Sequence, residues 1–242
     1  MAKGKQLKVV FVIPCYNAES NIVRLGTSLM VQSDDRWSAI IVDDISTDNT
    51  WEAIQRLPRD KFTTIKNKEK KYALKNVVES IQMIDDKDAI VAILDGDDSI
   101  CNPDTVKLLI ERYTEGNLDA AWTGHRWDIN EMNISKSMPQ DVDPYQWPWS
   151  SSHLKTFRSG LMDLISHKNF KNYKGEWFKR GYDQALMLPI LYLANKFEYI
   201  DEICYRYNID SASIPSEKRE WSEMEQISTI NFVRARGFVE RD

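Results

Sequence analysis

The stretch that decides the fold is VAILDGDD, residues 91–98, in which four apolar residues run directly into a turn that carries three carboxylates. The apolar part is typical of a strand buried in a parallel sheet, where both faces are covered. Asp95, Asp97 and Asp98 repel one another at the end of such a strand, so a positive partner would stabilise them. Carboxylate oxygens favour Mn2+ or Mg2+ over zinc. The pattern therefore indicates a divalent-metal site; the alternative is a solvated loop that caps the next helix.

Apolar runs and helical spacings alternate on both sides of this stretch. The expected strands are 7–13, 37–42, 63–66, 89–94 and 120–123, and the expected helices are 17–32, 50–56, 71–84 and 103–113. Pro103 suits the first turn of the last of these helices. The alternation predicts an α/β fold with a Rossmann-like, mostly parallel sheet flanked by helices. Ligands of such sheets bind at the carboxyl ends of the strands.

Polar residues follow three of the expected strands, and they should meet at one edge of the sheet. They are PCYN at 14–17, DD at 43–44 and DGDD at 95–98. A carboxylate of the second group can accept a hydrogen bond from a nucleobase N–H, and Tyr16 offers an aromatic face for the base. The alternatives are a core position for Tyr16 and helix capping by Ser46 or Asp48.

The pattern changes after residue 123. Prolines and aromatic residues crowd the segment 124–152, which predicts an ordered functional loop. Beyond it we expect helices at 153–165, 182–194 and 221–236, and two short strands within 197–207. Pro189 lies inside the second of these helices and predicts a kink there.

Composition excludes several classes of protein. The length of 242 residues and a hydrophobic fraction of 42% fit one large α/β domain, and the net charge of -5 gives no attraction to nucleic acid or anionic lipid. Three widely spaced cysteines predict neither a disulfide framework nor a zinc site, and a cytoplasmic setting is expected. No apolar stretch is long enough to span a bilayer. No glycine lies between Gly4 and Gly26, so the first strand is not followed by a glycine-rich dinucleotide-binding or P-loop motif.

Together these residues resemble glycosyltransferase family 2, whose members are inverting enzymes with the GT-A fold. The matching pieces are VIPCYN at 12–17, IVDD at 41–44, STDNT at 46–50 and ILDGDD at 93–98. The resemblance implies a single GT-A domain over 1–242. It implies a nucleotide-sugar-binding half at 1–123, an acceptor and catalytic half at 124–213 and a C-terminal helix at 214–242.

The resemblance also implies roles for individual residues. The nucleotide contacts are Pro14, Tyr16, Asn17, Asp43, Asp44, Lys71, Asn76, Asp95 and Gly96, and the metal ligands are Asp95, Asp97 and Asp98. Asp183, at the start of a late helix, is the implied catalytic base, with Tyr182 standing where relatives more often have glutamate. Weaker candidates for acceptor contacts are His153 and Arg206, together with Trp149 and Trp177, whose rings could stack on a sugar. Asn208 stands where many relatives have a histidine, in a stretch that also contains Ser211 and Ser213.

Each of these roles has a plainer alternative. Lys71 lies in a charged run that is typical of a solvated face, and Asp183 suits the N-terminus of any helix. His153 could be satisfied by a backbone carbonyl, and the tryptophans could belong to the core.

The implied activity is metal-dependent, inverting transfer of a sugar from a nucleoside-diphosphate sugar, with UDP favoured, to an unidentified acceptor. That acceptor is a glycan, a lipid carrier, a protein, a small molecule or a modified nucleic acid. One alternative is a phosphotransferase of the haloacid dehalogenase type, with Asp95 as nucleophile and Asp97 beside it, although its strand usually comes first in the chain. The other alternative is a non-catalytic nucleotide-sugar-binding module, which would need a lost base or lost metal ligands.

Overall fold

The structure is a computed structural model that describes residues 6–128, 132–208 and 219–241. Within those ranges, eight strands form one sheet with helices on both faces. The strands are β1 (Val9–Cys15), β2 (Trp37–Asp43), β3 (Phe62–Lys66), β4 (Ile90–Ile93), β5 (Ser99–Ile100), β6 (Ala120–Trp127), β7 (Lys155–Arg158) and β8 (Phe197–Tyr207). The helices are α1 (Glu19–Met30), α2 (Thr50–Ile54), α3 (Tyr72–Gln82), α4 (Thr105–Gly116), α5 (Tyr182–Leu193) and α6 (Arg219–Arg236). The sheet order is β3-β2-β1-β4-β7-β6-β8-β5.

The first half of the chain confirms the expected parallel arrangement. β1 is buried along its whole length and pairs in parallel with β2 and β4, and β3 adds to β2 in the same direction. Cys15 lies opposite Asp43 in the register, and Val12 lies opposite Ile93. The three polar segments that follow β1, β2 and β4 therefore emerge side by side at the carboxyl edge of the sheet.

The predicted helix at 153–165 is wrong. β7 occupies its first part and runs antiparallel between β4 and β6, and a short 3-10 helix at Ser159–Leu164 follows. Lys155, Thr156 and Phe157 are all buried. The apolar spacing of this segment reflects burial on both faces of a sheet, and pairing with two neighbouring strands overrides the helical pattern.

The two short strands expected within 197–207 form one strand, β8. It remains one strand because the register of its pairing with β6 shifts on either side of Gly124 while the pairing continues. A Cβ at Gly124 would lie 3.1 Å from the carbonyl oxygen of Glu202, so glycine permits the close approach.

The position of Pro103 also differs from the prediction, since α4 begins only at Thr105. The Asp104 amide donates to Asn102 Oδ1 at 2.9 Å, which forms a turn around the proline before the helix begins.

Apolar residues form a core on each face of the sheet. Helices α1, α2 and α4 bury residues such as Ile22 and Leu109 on one face, while α3 and α5 bury residues such as Val77 and Leu188 on the other. α6 is fixed over the second face by Arg234, which donates to the carbonyls of Tyr145 and Trp147 at 2.9 and 2.8 Å. None of the helices in the described ranges combines the length and the apolar character needed to cross a membrane.

Candidate active site

A cleft of about 540 Å³ opens at the carboxyl edge of the sheet, where the three polar segments emerge. The cleft brings together ten of the predicted site residues: Pro14, Tyr16, Asp44, Asn76, Asp95, Gly96, Asp97, Asp98, His153 and Asp183. Residues from the start of α6, including Trp221 and Gln226, form a further wall. The first half of the chain therefore supplies one side of the cleft and the second half supplies the other.

Asp44 organises one end of the cleft. Its Oδ1 accepts hydrogen bonds from the Lys71 amide at 2.9 Å and from Asn67 Nδ2 at 2.8 Å, and its Oδ2 accepts one from the Tyr72 amide at 2.8 Å. Burial acts to raise the pKa of the Asp44 carboxyl, but these hydrogen bonds and the Lys70 ammonium outweigh it, so that pKa lies below its usual value. Asp44 is therefore a fixed carboxylate, held ionised at the start of α3.

Tyr16 presents its ring to the same end of the cleft. Lys70 Nζ lies 2.9 Å from the centroid of that ring and donates to the Asp44 carbonyl at 3.0 Å. Of the two neighbouring lysines, Lys70 therefore lines the cleft, whereas the ammonium of the predicted Lys71 pairs with Glu79 at 2.8 Å. The difference arises where α3 begins, because Tyr72 has a φ of 62° and the chain turns sharply there.

The acidic turn after β4 forms the floor of the cleft. Asp98 is buried and is anchored to β8: its Oδ2 accepts from the Tyr205 hydroxyl at 2.5 Å, and its Oδ1 accepts from the Asn208 amide at 2.8 Å. Asp95 accepts a hydrogen bond from the Tyr182 hydroxyl at the start of α5. Burial first, and then the neighbouring carboxylates, raise the pKa of Asp98 well above its usual value and that of Asp95 to about 6.

These carboxylates fit a divalent cation by their chemistry. Among the described residues, no three His, Cys, Asp or Glu side chains are grouped in a way that could hold a metal ion. Asp98 uses both of its oxygens within the protein, so it serves as an anchor in this structure. Asp97 lines the cleft beside Asp95, and its charge helps to raise the pKa of Asp95. Burial is the main cause of the raised pKa of Asp95, and a cation between these two carboxylates would offset the smaller part that comes from their repulsion.

Asp183 lies in the first turn of α5 and lines the side of the cleft that the second half of the chain supplies. Its Oδ1 accepts a hydrogen bond from Lys155 Nζ at 2.5 Å. Lys155 is completely buried and also lies 3.1 Å from His153 Nδ1. The His153 ring stacks on Tyr205 with a centroid distance of 4.6 Å, so the histidine contacts aromatic side chains as well as the lysine.

Six predicted residues lie outside the lining of the cleft. Asn17 connects two loops, because its Oδ1 accepts a hydrogen bond from the Thr47 amide at 2.8 Å. Asp43 is buried, and its Oδ1 accepts a hydrogen bond from the Ser46 amide at 3.1 Å. Lys71 forms an ion pair with Glu79. The other three are Trp149, partly buried against the core, Trp177, stacked on Phe170, and Arg206, paired with Asp128. Ser211 and Ser213 lie outside the described residues.

Several residues that line the cleft, or that contact a residue lining it, are not predicted by any motif. Lys70, from the segment between β3 and α3, and Trp221, from α6, line the cleft, and Asn67 donates to Asp44. Lys155 lies in the stretch HLKTFR, where a lysine inside an apolar run would signal a buried charge once the strand is recognised. Nothing in the sequence pattern shows that α6 returns to the cleft, because that placement depends on tertiary contacts.

Known proteins resemble this chain in sequence. The family model described as Glycosyl transferase family 2 matches residues 10–182. The glycosyltransferase GlyG of Streptococcus pneumoniae serotype 4 is 25% identical in an alignment 224 residues long, which covers 84% of this chain and 71% of GlyG.

Solved structures share the fold at low sequence identity. S. aureus TarS matches with a TM-score of 0.66 at 22% identity over 84% of this chain, which spans only 37% of the TarS chain. TarS 1–349 in complex with UDP-GlcNAc matches with a TM-score of 0.65 at 18% identity, over 85% of this chain and 60% of that one. Mannosyltransferase PcManGT from Pyrobaculum calidifontis, in complex with GDP-Man and Mn2+, gives 0.63 at 15% identity, over 98% and 67% of the two chains. The chain therefore belongs to glycosyl transferase family 2, and it is a glycosyltransferase with the GT-A fold.

Proposed function

We propose that this glycosyltransferase uses a nucleoside-diphosphate sugar, with UDP favoured, and transfers the sugar to an acceptor hydroxyl with inversion and with the help of Mn2+ or Mg2+. The observation that carries the proposal is the single cleft that holds Tyr16, Asp44, the acidic turn at 95–98 and Asp183. An aromatic face, a fixed carboxylate, a cation-binding turn and a base are the groups that this reaction needs.

The nucleobase would stack on Tyr16 and donate an N–H to Asp44. Asp44 Oδ2 accepts only one backbone N–H among the described residues, and Lys70 lies 3.5 Å from it. A carboxylate oxygen has room for a second donor, so a uracil N–H can add there when Lys70 moves off the Tyr16 ring. The displaced ammonium would remain near the diphosphate. TarS 1–349 in complex with UDP-GlcNAc supports UDP as the first donor to test.

Asp95 and Asp97 would hold the cation, and Asp98 would keep the turn in place. A bound divalent cation neutralises charge on the leaving diphosphate. The Mn2+ in the PcManGT complex supports manganese as the first metal to test.

Asp183 would act as the general base. Its carboxylate takes the proton of the acceptor hydroxyl while that oxygen forms a bond to the anomeric carbon. The bond from the anomeric carbon to the diphosphate oxygen breaks, and the electron pair leaves with the diphosphate. Attack from the opposite face inverts the anomeric centre, through a transition state that resembles an oxocarbenium ion. The side chain of Asp183 is 33% exposed, so an acceptor can reach it.

Because the chain belongs to family 2 and is a glycosyltransferase, the acidic turn is assigned neither to a phosphotransferase nor to a non-catalytic binding module. The acceptor is a hydroxyl compound of one of the classes named above.

The test is a thermal-stability screen with UDP, UDP-GlcNAc, UDP-glucose and GDP-mannose, each with Mn2+ and with chelator. A ligand that binds only the native state raises the unfolding temperature. We expect the uridine compounds to stabilise the protein in Mn2+ and to lose most of that effect in chelator. Stabilisation by none of these compounds under either condition would overturn the proposed donor site.

A further inference from the structure

Lys155 is a buried cation in the middle of the sheet. It begins β7, where it lies opposite Ile93 of β4 and Trp122 of β6, and it is completely buried. An isolated ammonium in such a place is strongly disfavoured, so a buried lysine needs a partner that compensates its charge.

The partner of Lys155 is the proposed base. Lys155 Nζ lies 2.5 Å from Asp183 Oδ1, and the lysine side chain is 0% exposed while that of Asp183 is 33% exposed. The pair therefore joins a fixed, buried end to an end that lines the cleft. Oδ1 is thus the oxygen of Asp183 that the buried lysine holds.

His153 holds the lysine from the other side. Its Nδ1 lies 3.1 Å from Lys155 Nζ, and its ring stacks on Tyr205 and Tyr207 at centroid distances of 4.6 and 5.5 Å. Burial and then the charge of Lys155 lower the pKa of His153 well below its usual value, so the imidazole is neutral and accepts a hydrogen bond from the ammonium. Tyr205 is in turn bonded to Asp98. The lysine is thus fixed by groups that also anchor the acidic turn.

The charge of Lys155 also reaches the floor of the cleft. It opposes the effects of burial, Asp183 and Asp97 on Asp95. Lys155 is therefore a buried ammonium that acts on the carboxylates of both Asp95 and Asp183.

We propose that Lys155 is a positioning residue for the transfer reaction, one that fixes Asp183 Oδ1 so that Oδ2 is aimed at the acceptor proton. This inference rests on the proposed role of Asp183 as base. Lys155 touches no substrate in this scheme and acts only through Asp183. Its removal should therefore reduce turnover without changing how the donor binds.

The test compares wild type, Lys155→Met, Lys155→Arg, Asp183→Asn and the double variant Lys155→Met/Asp183→Asn. The readout is release of the nucleoside diphosphate with water as acceptor, from whichever of UDP-GlcNAc, UDP-glucose and GDP-mannose wild type hydrolyses fastest. Lys87→Met is the matched control, since Lys87 forms an exposed ion pair with Asp163 at 2.9 Å, outside the cleft.

We expect Lys155→Met to lower kcat about 10- to 100-fold, the usual cost of a misplaced reacting group, while KM for the donor stays within about twofold. Lys155→Arg should recover part of the rate, and Lys87→Met should leave it unchanged. The double variant should be no slower than Asp183→Asn alone. A normal kcat for Lys155→Met, or losses that multiply in the double variant, would overturn the inference.

Two further outcomes are decisive. If Lys155→Met fails to fold, the double variant carries the test, because removing both partners of a buried ion pair leaves no uncompensated charge. A double variant slower than Asp183→Asn would then reject the positioning role. If Asp183→Asn retains full activity, the proposed role of Asp183 as base fails, and the inference that rests on it fails as well.

Discussion

Gly96 lies so close to Cys15 that a Cβ on residue 96 would be 2.4 Å from Cys15 Sγ and 3.0 Å from Cys15 Cα. The Gly96 amide also donates to the Pro14 carbonyl at 3.1 Å. This close approach joins the acidic turn to the end of β1, directly beside Tyr16. A change at Gly96 would therefore affect both the acidic turn and the segment that carries Tyr16.

Gly96→Ala should destabilise the protein by about 1–3 kcal/mol, the usual cost of overpacking a tight site, and should weaken nucleotide binding. Urea denaturation and UDP titration measure the two effects. Adding Cys15→Ala should recover only part of the stability, because it removes the sulfur atom and leaves the Cys15 backbone in place. Unchanged stability and affinity in Gly96→Ala would contradict the joint role of this close approach.

Asp97→Asn should abolish most of the Mn2+-dependent gain in UDP affinity. The reason is that Asp97 lines the cleft next to Asp95, where the proposed cation would bind. Calorimetric titration with UDP, in Mn2+ and in chelator, is the measurement. Asp60→Asn is the control, since Asp60 is exposed and precedes β3, at the opposite edge of the sheet. Equal affinity with and without metal in wild type would contradict the prediction.

Tyr16→Ala should weaken UDP binding by about 1–3 kcal/mol, the range measured for base stacking on an aromatic side chain. Tyr173→Ala is the matched control, because Tyr173 is 79% exposed and lies outside the cleft. Hydrogen exchange should also show protection of amides near Tyr16 and Asp44 when UDP binds. Protection confined to other segments would place the base elsewhere.

Asp183→Asn should keep its affinity for the nucleotide sugar and lose about 100-fold or more in turnover, the usual contribution of a general base. The acceptor proton is lost only in the transition state, so the effect falls on kcat and not on donor binding. Steady-state kinetics with the best donor test the rate, and NMR of the product tests its stereochemistry. A retained anomeric configuration would reject the single displacement.

The stability of the metal-free protein should carry a pH dependence that Asp95 contributes. Burial first, and then Asp183 and Asp97, raise the pKa of Asp95 from 3.8 to about 6. The folded state thus holds a proton that the unfolded chain has released between these values. The stability from Asp95 is complete below about pH 4 and is lost as pH rises through 6. Wild type should therefore lose stability relative to Asp95→Asn between pH 4 and 7 in thermal unfolding. A difference that is constant with pH would contradict this.

The parallel half of the fold could be predicted because its strands are continuous apolar runs that end in polar residues. Such runs identify β1, β2 and β4 by composition alone, and parallel pairing brings their ends together. The placement of the acidic turn and of Asp44 at one edge of the sheet follows from this pairing. The segment around Lys155 could not be predicted in this way, because a short buried strand and a helix share the same apolar pattern.

Side-chain placement at the start of α3 shows a second limit. Lys70 and Lys71 are neighbours in a charged run, and only the turn at Tyr72 decides which of them faces the cleft. Trp149 and Trp177 were reasonable sugar-stacking candidates by composition, yet both pack against other parts of the protein. The exposed tryptophan at the cleft is Trp221, which reaches it through the packing of α6.

The position of β7 has a consequence for how the chain is made. β4 is an entirely apolar strand whose outer neighbour, β7, is contributed by residues 155–158. During synthesis on the ribosome, one row of backbone N–H and C=O groups on β4 therefore stays unpaired until residues 155–158 have emerged. Such open apolar strands template aggregation. A fragment that stops at residue 123 should accordingly associate through β4 rather than persist as a monomeric nucleotide-binding module.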